Sequence, residues 1–314
     1  MFIKGIERSD SPAEGAAGSL TDTGPSPQCI DNRAIIRKRN LLAAVDKNIG
    51  VAEFYHNGTE AEVGTMSMIR WQAAFIAGGA LLLPFAPLLY LQGQATRRKV
   101  GLLPPASGPL QGQTGEGTEA ARLFVIGEST VAGLGARTHE FALAGQFAKY
   151  LSRRIDRRVE WTVIGKNGVT ARRTIDELVP RMPKTAFDYV LVGLGGNDVM
   201  KLSSPRKWRQ DMTRLLGILR ERSPDAVIFI TNCPMINTSP AIPQPIRGIL
   251  WELSKLHDAN IRDLTSGMER VLYFRQPVEF QAEGFFADGI HPSEQGYADW
   301  SKAMVDFFYE NYEW

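Results

Sequence analysis

From residue 120 onward, the chain alternates between short apolar runs and longer segments in which apolar residues recur every three or four positions. The runs are typical of buried strands, and the recurring positions are typical of amphipathic helices. The predicted strands cover residues 123–127, 159–164, 187–194, 226–231 and 271–274. Because strands that alternate with helices form parallel sheets covered on both faces, this order predicts an α/β domain over residues 120–314.

An uncharged stretch with a different pattern lies upstream of this domain. Residues 71–96 contain no charged side chain, and residues 71–91 are mostly apolar. About 20 apolar residues suffice to cross a bilayer, and Trp71 and Tyr90 stand near the two ends, where interfacial aromatic side chains belong. We therefore expect one transmembrane helix over residues 69–95; the alternative is a helix buried in a protein core.

The two segments that flank this helix have compositions unlike those of packed domains. Residues 1–68 include a stretch rich in Ser, Gly, Ala and Pro, so we expect a weakly ordered tail. Met66 and Met68 stand directly before the apolar stretch, and either is a candidate for the natural start of the protein. Residues 96–119 are rich in Pro, Gly, Ser and Gln, which predicts a flexible linker.

The charges and cysteines bear on location and partners. Arg70 alone precedes the apolar stretch closely, whereas three basic residues follow it at 97–99. By the positive-inside rule, this difference places the C-terminal domain of a single-pass protein in the cytoplasm. The net charge is only +2, which gives no reason to propose a nucleic acid as partner. Cys29 and Cys233 are far apart and form no CxxC pair, so neither a zinc site nor a redox pair is indicated.

Polar residues follow three of the predicted strands. Ser129, Gly168 and Asn197 stand just beyond the first, second and third strands. Because the carboxyl ends of parallel strands lie on one edge of a sheet, these residues can meet in space. Near the C-terminus, Asp288 and His291 are three residues apart, so the carboxylate can orient the imidazole to accept a proton from a serine hydroxyl. The Ser129 and Gly168 N–H groups and the Asn197 amide can supply the donors that an oxyanion needs.

Each of these residues also has a purely structural interpretation. Serine is common as the N-cap of a helix, and the stretch around Ser129 taken alone favours that reading. Asn197 is also an ordinary turn residue. A further histidine, His257, falls on the apolar stripe of its predicted helix and is expected in the core. His139 is expected at the surface.

Taken together, the motifs resemble those of a known superfamily, the SGNH (GDSL-type) hydrolases. Its four sequence blocks are matched in order and spacing by Gly127-Glu128-Ser129, Gly168, Gly195-Gly196-Asn197-Asp198 and Asp288-x-x-His291. The resemblance covers about residues 121–310 and leaves out the tail, the apolar helix and the linker. It implies a three-layer α/β/α sandwich with a flavodoxin-like sheet of five parallel strands, here preceded by a single transmembrane helix.

The resemblance also implies an activity and a role for each residue. The superfamily hydrolyses esters and thioesters by a serine acyl-enzyme route without metal or cofactor. Ser129 would be the nucleophile, His291 the base and Asp288 the partner of that base. The oxyanion hole would combine Ser129, Gly168 and Asn197. The chain thus looks like a membrane-anchored, bacterial-type esterase whose substrate is a small-molecule, lipid or sugar ester.

One position departs from the superfamily, whose first block usually has Asp where this chain has Glu128. The extra methylene moves the carboxylate by about one C–C bond, so hydrogen bonds that orient the turn must be rearranged. Two alternatives to hydrolysis remain: transfer of the acyl group to a sugar or lipid hydroxyl, and a membrane-tethered binding module without catalysis. Glu128 alone favours the second. We expect the proline-rich loop at residues 235–244 to form a wall of the acyl pocket.

Overall fold

The computed structural model of the chain describes residues 60–101, 103–277 and 281–312. The tail expected over residues 1–68 lies mostly outside them. The helices are α1 Glu60–Leu82, α2 Ala86–Val100, α3 Leu143–Ile155, α4 Ala171–Glu177, α5 Gly196–Met200, α6 Pro205–Arg222, α7 Ile246–Thr265 and α8 Glu294–Asn311. The strands are β1 Gln111–Thr114, β2 Ala120–Gly127, β3 Arg158–Gly165, β4 Tyr189–Gly193, β5 Val227–Ile230 and β6 Val271–Tyr273.

The described strands form one sheet in the order β1-β3-β2-β4-β5-β6. Strands β2 to β6 are parallel, and their order is that of flavodoxin-like folds. Helices α4, α6 and α7 contribute side chains to the core on one face of this sheet, and α3 and α8 contribute to the core on the other. The expected three-layer α/β/α sandwich is therefore confirmed.

Strand β1 corrects two expectations, because it adds a sixth strand and lies in the segment predicted to be a flexible linker. It pairs antiparallel with β3, so that Gln111 lies opposite Thr162. The strand packs closely: a Cβ atom at Gly112 would come within 2.3 Å of the Trp161 ring. Since its sequence, Gln-Gly-Gln-Thr, has no apolar alternation, the pairing depends on backbone hydrogen bonds that composition does not reveal.

The central strand is apolar on both faces because both faces are covered. Phe124 and Ile126 of β2 belong to one core, and Leu123 and Val125, which alternate with them, belong to the other. All four side chains are fully buried. This burial on both faces produces the continuous apolar run from which the strand was predicted.

An apolar helical segment precedes the sheet. The chain is helical from Ser67 to Val100, with a mean hydropathy that reaches 1.9, apart from a turn of 3-10 helix at Leu83–Phe85. Pro84 accounts for that turn, since proline lacks the N–H group that an α-helix needs. Within the described ranges, this is the one helix that is long and apolar enough to cross a membrane, by length and composition.

Candidate active site

Three neighbouring strands end at glycines that lie side by side. Gly127 at the end of β2 pairs with Gly165 of β3 on one side and with Gly193 of β4 on the other. The approach is close, since a Cβ atom at Gly127 would lie 2.0 Å from the Gly193 carbonyl oxygen. The strand order changes direction at β2 and β4, which is where α/β sheets bind ligands. The loops after these two strands carry Ser129 and Asn197.

Ser129 does not cap a helix. The residues after β2 form turns, and the next helix begins only at Leu143, so the N-cap reading is wrong. The Ser129 side chain is 8% exposed, and it lines a cavity. Among the described residues, neither the Ser129 N–H group nor that of Gly168 donates a backbone hydrogen bond. Neither N–H group therefore has a backbone acceptor of its own within the described ranges.

His291 and Asp288 are joined by a short contact. The Nδ1 atom of His291 lies 2.8 Å from one carboxylate oxygen of Asp288. The other oxygen accepts hydrogen bonds from the backbone N–H groups of His291, at 2.7 Å, and Ile290, at 2.9 Å. Partial burial opposes ionisation of Asp288, but these bonds prevail and lower the pKa of its carboxyl group. The carboxylate thus fixes the imidazole ring with Nδ1 towards it.

The Glu128 carboxylate holds the loop that carries Asn197. It accepts hydrogen bonds from the backbone N–H groups of Gly196 and Asn197, both at 2.7 Å, and from the Asn197 side-chain amide at 2.6 Å. Glu128 is buried. Burial, which the three hydrogen bonds only partly offset, raises the pKa of its carboxyl group from 4.5 to about 7. The residue that departs from the superfamily pattern therefore orients the predicted oxyanion donor.

Three further side chains fix the loop after β3. Gly168 has a φ of +79°, a conformation that favours glycine, and its carbonyl oxygen accepts hydrogen bonds from Lys201 and Arg173. Asp198 accepts a bond from the Ala171 N–H group at the start of α4, which ties the β4 turn to the same region. Nothing in the sequence indicates this role for Lys201, because an isolated lysine outside any motif carries no signal.

Three of the predicted site residues, Ser129, Asn197 and His291, line one cavity of about 1380 Å³. Gly168 and Asp288 are not in its wall, although Asn167, the neighbour of Gly168, is. No hydrogen bond joins the Ser129 hydroxyl to His291 in this structure; such bonds often form only when substrate is bound. The loop at residues 235–244 contributes Met235, Ile236, Ser239 and Ile242.

The two other described histidines, His139 and His257, are both buried. His257 is fully buried and stacks on Trp208 with a ring separation of 5.2 Å, so its core position is confirmed. Burial lowers the pKa of its imidazole to about 4. The surface position predicted for His139 is wrong, since its side chain is only 4% exposed. Within the part of the chain that the structure describes, no cluster of three His, Cys, Asp or Glu side chains is arranged to hold a metal ion.

The flavodoxin-like sheet, with a serine and an Asp–His pair on its carboxyl edge, is the arrangement of an α/β/α carboxylic ester hydrolase. Residues 125–298 match the model of the GDSL-like Lipase/Acylhydrolase family. The chain belongs to this family, and the resemblance inferred from its sequence motifs is confirmed.

Three known proteins are also similar to this chain. The chain is 25% identical over 214 residues to the GDSL-like esterase Rv1075c of Mycobacterium tuberculosis, an alignment that covers 65% of this chain and 67% of that protein. Among solved structures, the lipase Lip_vut3 from a goat rumen metagenome is 16% identical, with a TM-score of 0.46 over 59% of this chain and 96% of that one. The esterase EstA from Pseudoalteromonas sp. is 14% identical, with a TM-score of 0.43 over 60% and 99%.

Proposed function

We propose that the protein hydrolyses carboxylic esters or thioesters through an acyl-enzyme. The Ser129 hydroxyl attacks the carbonyl carbon, and Nε2 of His291 accepts the hydroxyl proton. Asp288 keeps the proton of the neutral ring on Nδ1, so that Nε2 is the acceptor. The observation that carries the proposal is the 2.8 Å contact between His291 Nδ1 and Asp288, at a cavity that Ser129 and His291 both line.

Three donors would stabilise the negative charge that forms on the carbonyl oxygen. The N–H groups of Ser129 and Gly168 have no backbone acceptor of their own among the described residues. The Asn197 amide has two hydrogens, of which Glu128 takes one, so the second is left for the oxyanion. Each donor of this kind lowers the barrier by about 3–4 kcal/mol.

The proton on His291 completes the reaction. It passes to the leaving alcohol or thiol, while the acyl group stays on Ser129. A water molecule that gives its proton to His291 then attacks the acyl-enzyme; His291 returns that proton to the Ser129 oxygen as the acyl–oxygen bond breaks, and the carboxylic acid is released. Ester and water are consumed, and alcohol and acid are formed.

A substitution of the nucleophile tests this mechanism. The full chain, purified in mild detergent, is expected to hydrolyse p-nitrophenyl butyrate, and Ser129→Ala is expected to abolish the activity. Ser266→Ala, which changes a serine at the end of α7, serves as the control and should retain it. Hydrolysis that survives Ser129→Ala would refute the mechanism, provided that the melting temperatures of the two chains agree.

The same assay addresses the two alternatives. Turnover that requires an added alcohol or sugar acceptor would identify an acyltransferase working through the same residues. Tight binding of an ester without turnover under any condition would identify a binding module. The loop at residues 235–244 is proposed as a wall of the acyl pocket, supported by its contribution to the cavity. Replacing that loop should therefore change the preference among acyl groups.

We further propose that residues 71–91 attach the protein to a membrane. A single pass with the C-terminal domain in the cytoplasm follows from the basic residues 97–99, and it requires that this segment leave the surface of the domain. Reporter tags at the two termini of the full chain test this point. A single pass puts the tags on opposite sides of the membrane, whereas a helix that stays on the surface of the domain puts both tags on the same side.

A further inference from the structure

The cavity that contains Ser129 and His291 extends beyond the catalytic domain. Its opposite wall is made by the apolar helices α1 and α2, through Ala74, Phe75, Gly78, Leu82, Ala86 and Leu89. The domain faces them with apolar residues: Ile236, Ile242, Ile246, Leu250 and Leu253. The cavity is therefore polar where the predicted catalytic residues lie and mostly apolar along the groove that leads away from them, with Gln94, Thr96, Arg97 and Glu252 as polar exceptions.

Specific contacts hold α1 and α2 against the domain. At one end, the side-chain oxygen of Gln72 accepts a hydrogen bond from the Arg206 N–H group at 3.2 Å. At the other end, the side-chain amide of Gln92 donates to the Gln244 carbonyl oxygen at 2.7 Å. Between them, Phe75 packs against the apolar cluster of Ile236, Ile242, Leu250 and Leu253. The groove thus has a defined second wall.

Space remains open between these two walls. A Cβ atom added at Gly78 would meet no other atom within 4 Å, although Gly78 lines the cavity. Farther along, a Cβ atom at Gly93 would lie 3.9 Å from the side chain of Ile246. The volume of about 1380 Å³ also exceeds the roughly 300–1,000 Å³ typical of small-ligand pockets. An acetyl or butyryl group would leave most of this space unfilled.

We propose that the groove between α1–α2 and the domain binds the long, unbranched acyl chain of the ester substrate. The proposal rests on the ester hydrolysis proposed above and specifies its substrate class. An apolar chain whose carbonyl lies at Ser129 would run along Gly78, where each methylene that leaves water stabilises the complex. With α1 and α2 on the domain, as in this structure, the apolar helix is part of the binding site, and esters of long-chain acids are preferred over acetyl esters. A single membrane pass that carries α1 and α2 away from the domain would overturn this proposal.

Two substitutions at adjacent helix positions test the proposal in the full chain. Gly78→Leu fills the groove, whereas Ala77→Leu introduces the same side chain beside it, at a residue that does not line the cavity. Single-methylene differences in apolar pockets change kcat/KM by about 10- to 200-fold. We therefore expect Gly78→Leu to lower the ratio of kcat/KM for p-nitrophenyl dodecanoate to kcat/KM for p-nitrophenyl acetate at least tenfold. Ala77→Leu should leave this ratio unchanged.

The placement of the helix is tested without reference to activity. A chain with Gly93→Cys and Ile246→Cys is treated with a short bis-maleimide, and an intramolecular crosslink is expected. Ala77→Cys paired with Ile246→Cys is the control, and it should crosslink much less.

The outcomes separate this inference from the proposed function. If no ester is hydrolysed, the proposed function fails and this inference fails with it. If short esters are hydrolysed through Ser129 but Gly78→Leu behaves like Ala77→Leu towards the dodecanoate, the function stands and the acyl groove is refuted. Failure of the Gly93–Ile246 crosslink in an active chain would also overturn it.

Discussion

One carboxylate oxygen of Glu128 accepts hydrogen bonds from both the side-chain amide and the backbone N–H group of Asn197, at 2.6 and 2.7 Å. A single side chain therefore fixes both the backbone and the rotamer of Asn197. The longer Glu side chain, where the superfamily usually has Asp, supplies the reach for this arrangement. Loss of the Glu128 carboxylate should therefore affect the oxyanion hole rather than the affinity for substrate.

Glu128→Gln should lower kcat with little change in KM. A glutamine side chain has one acceptor oxygen, and its NH₂ group would face donors that Glu128 now satisfies. Asn197 would then lose its fixed orientation, and the loss should approach the roughly 10²–10³-fold fall in kcat that follows removal of one oxyanion donor. Steady-state kinetics with p-nitrophenyl butyrate measure the effect, and the exposed Glu160→Gln serves as control.

A double-mutant cycle determines whether Glu128 acts through Asn197. In a chain that already carries Asn197→Ala, the further change Glu128→Gln should lower kcat only slightly more, because the donor that Glu128 positions is absent. Full additivity of the two losses would show that Glu128 acts by another route.

The buried Glu128 carboxyl should make stability depend on pH. Its pKa is 4.5 in an exposed chain and about 7 in the folded protein, so between these values the folded state binds more protons than the unfolded state. Stability should therefore fall by about 3 kcal/mol as the pH rises from 4.5 to 7, relative to Glu128→Gln. Urea denaturation of both chains in detergent, from pH 4 to 8, checks this difference. A gap between the two chains that does not change with pH would contradict it.

Asp288→Asn should lower kcat by about 10³- to 10⁴-fold. The asparagine oxygen can still accept the backbone N–H groups of Ile290 and His291, so the turn should persist. Its amide, however, donates towards Nδ1 and favours the tautomer in which Nε2 carries the proton and cannot accept one from Ser129. Kinetics and circular dichroism together test this. The control is Asp306→Asn, on the exposed face of α8; equal activity of the two variants would exclude Asp288 as the partner of the base.

Two glycine substitutions should have opposite effects on stability. Gly127→Ala would place a Cβ atom 2.0 Å from the Gly193 carbonyl oxygen, so strands β2 and β4 would have to separate, at a cost of about 1–3 kcal/mol or more. At Gly217, in the exposed middle of α6, an added Cβ meets nothing within 4 Å. Gly217→Ala should stabilise the protein by up to about 1 kcal/mol. Thermal unfolding of both chains measures the contrast.

Local sequence patterns predicted the parts of the fold that local chemistry determines. Each parallel strand is buried on both faces and so appears as an apolar run. Similarly, Ser204 accepts a hydrogen bond from the Lys207 N–H group and Pro205 begins α6, as their residue types predict. Asp288 and His291 are joined within one turn, so their spacing alone indicated their contact.

Features that depend on distant parts of the chain could not be predicted in this way. The helical spacing of apolar residues in the sequence extends back to Phe141, yet α3 begins only at Leu143 and Phe141 is 38% exposed. His139 is buried although nothing in its neighbourhood in sequence indicates that. The apolar helix that lines the cavity could be predicted from its length and hydropathy. Nothing in its sequence indicated the surface against which it packs.

The chain forms its first backbone hydrogen bonds with the domain only a few residues after α2 ends, and this limits how far the catalytic site can move from the apolar helix. Ala106 donates a backbone hydrogen bond to Ala132, Ser107 donates one to Arg137, and β1 follows directly. Only the residues between Gly101 and Ala106 separate the end of α2 from these hydrogen bonds, and this connection spans roughly 18 Å at full extension. With α1 and α2 in a lipid bilayer, such a short connection would confine catalysis to esters at the surface of that same membrane.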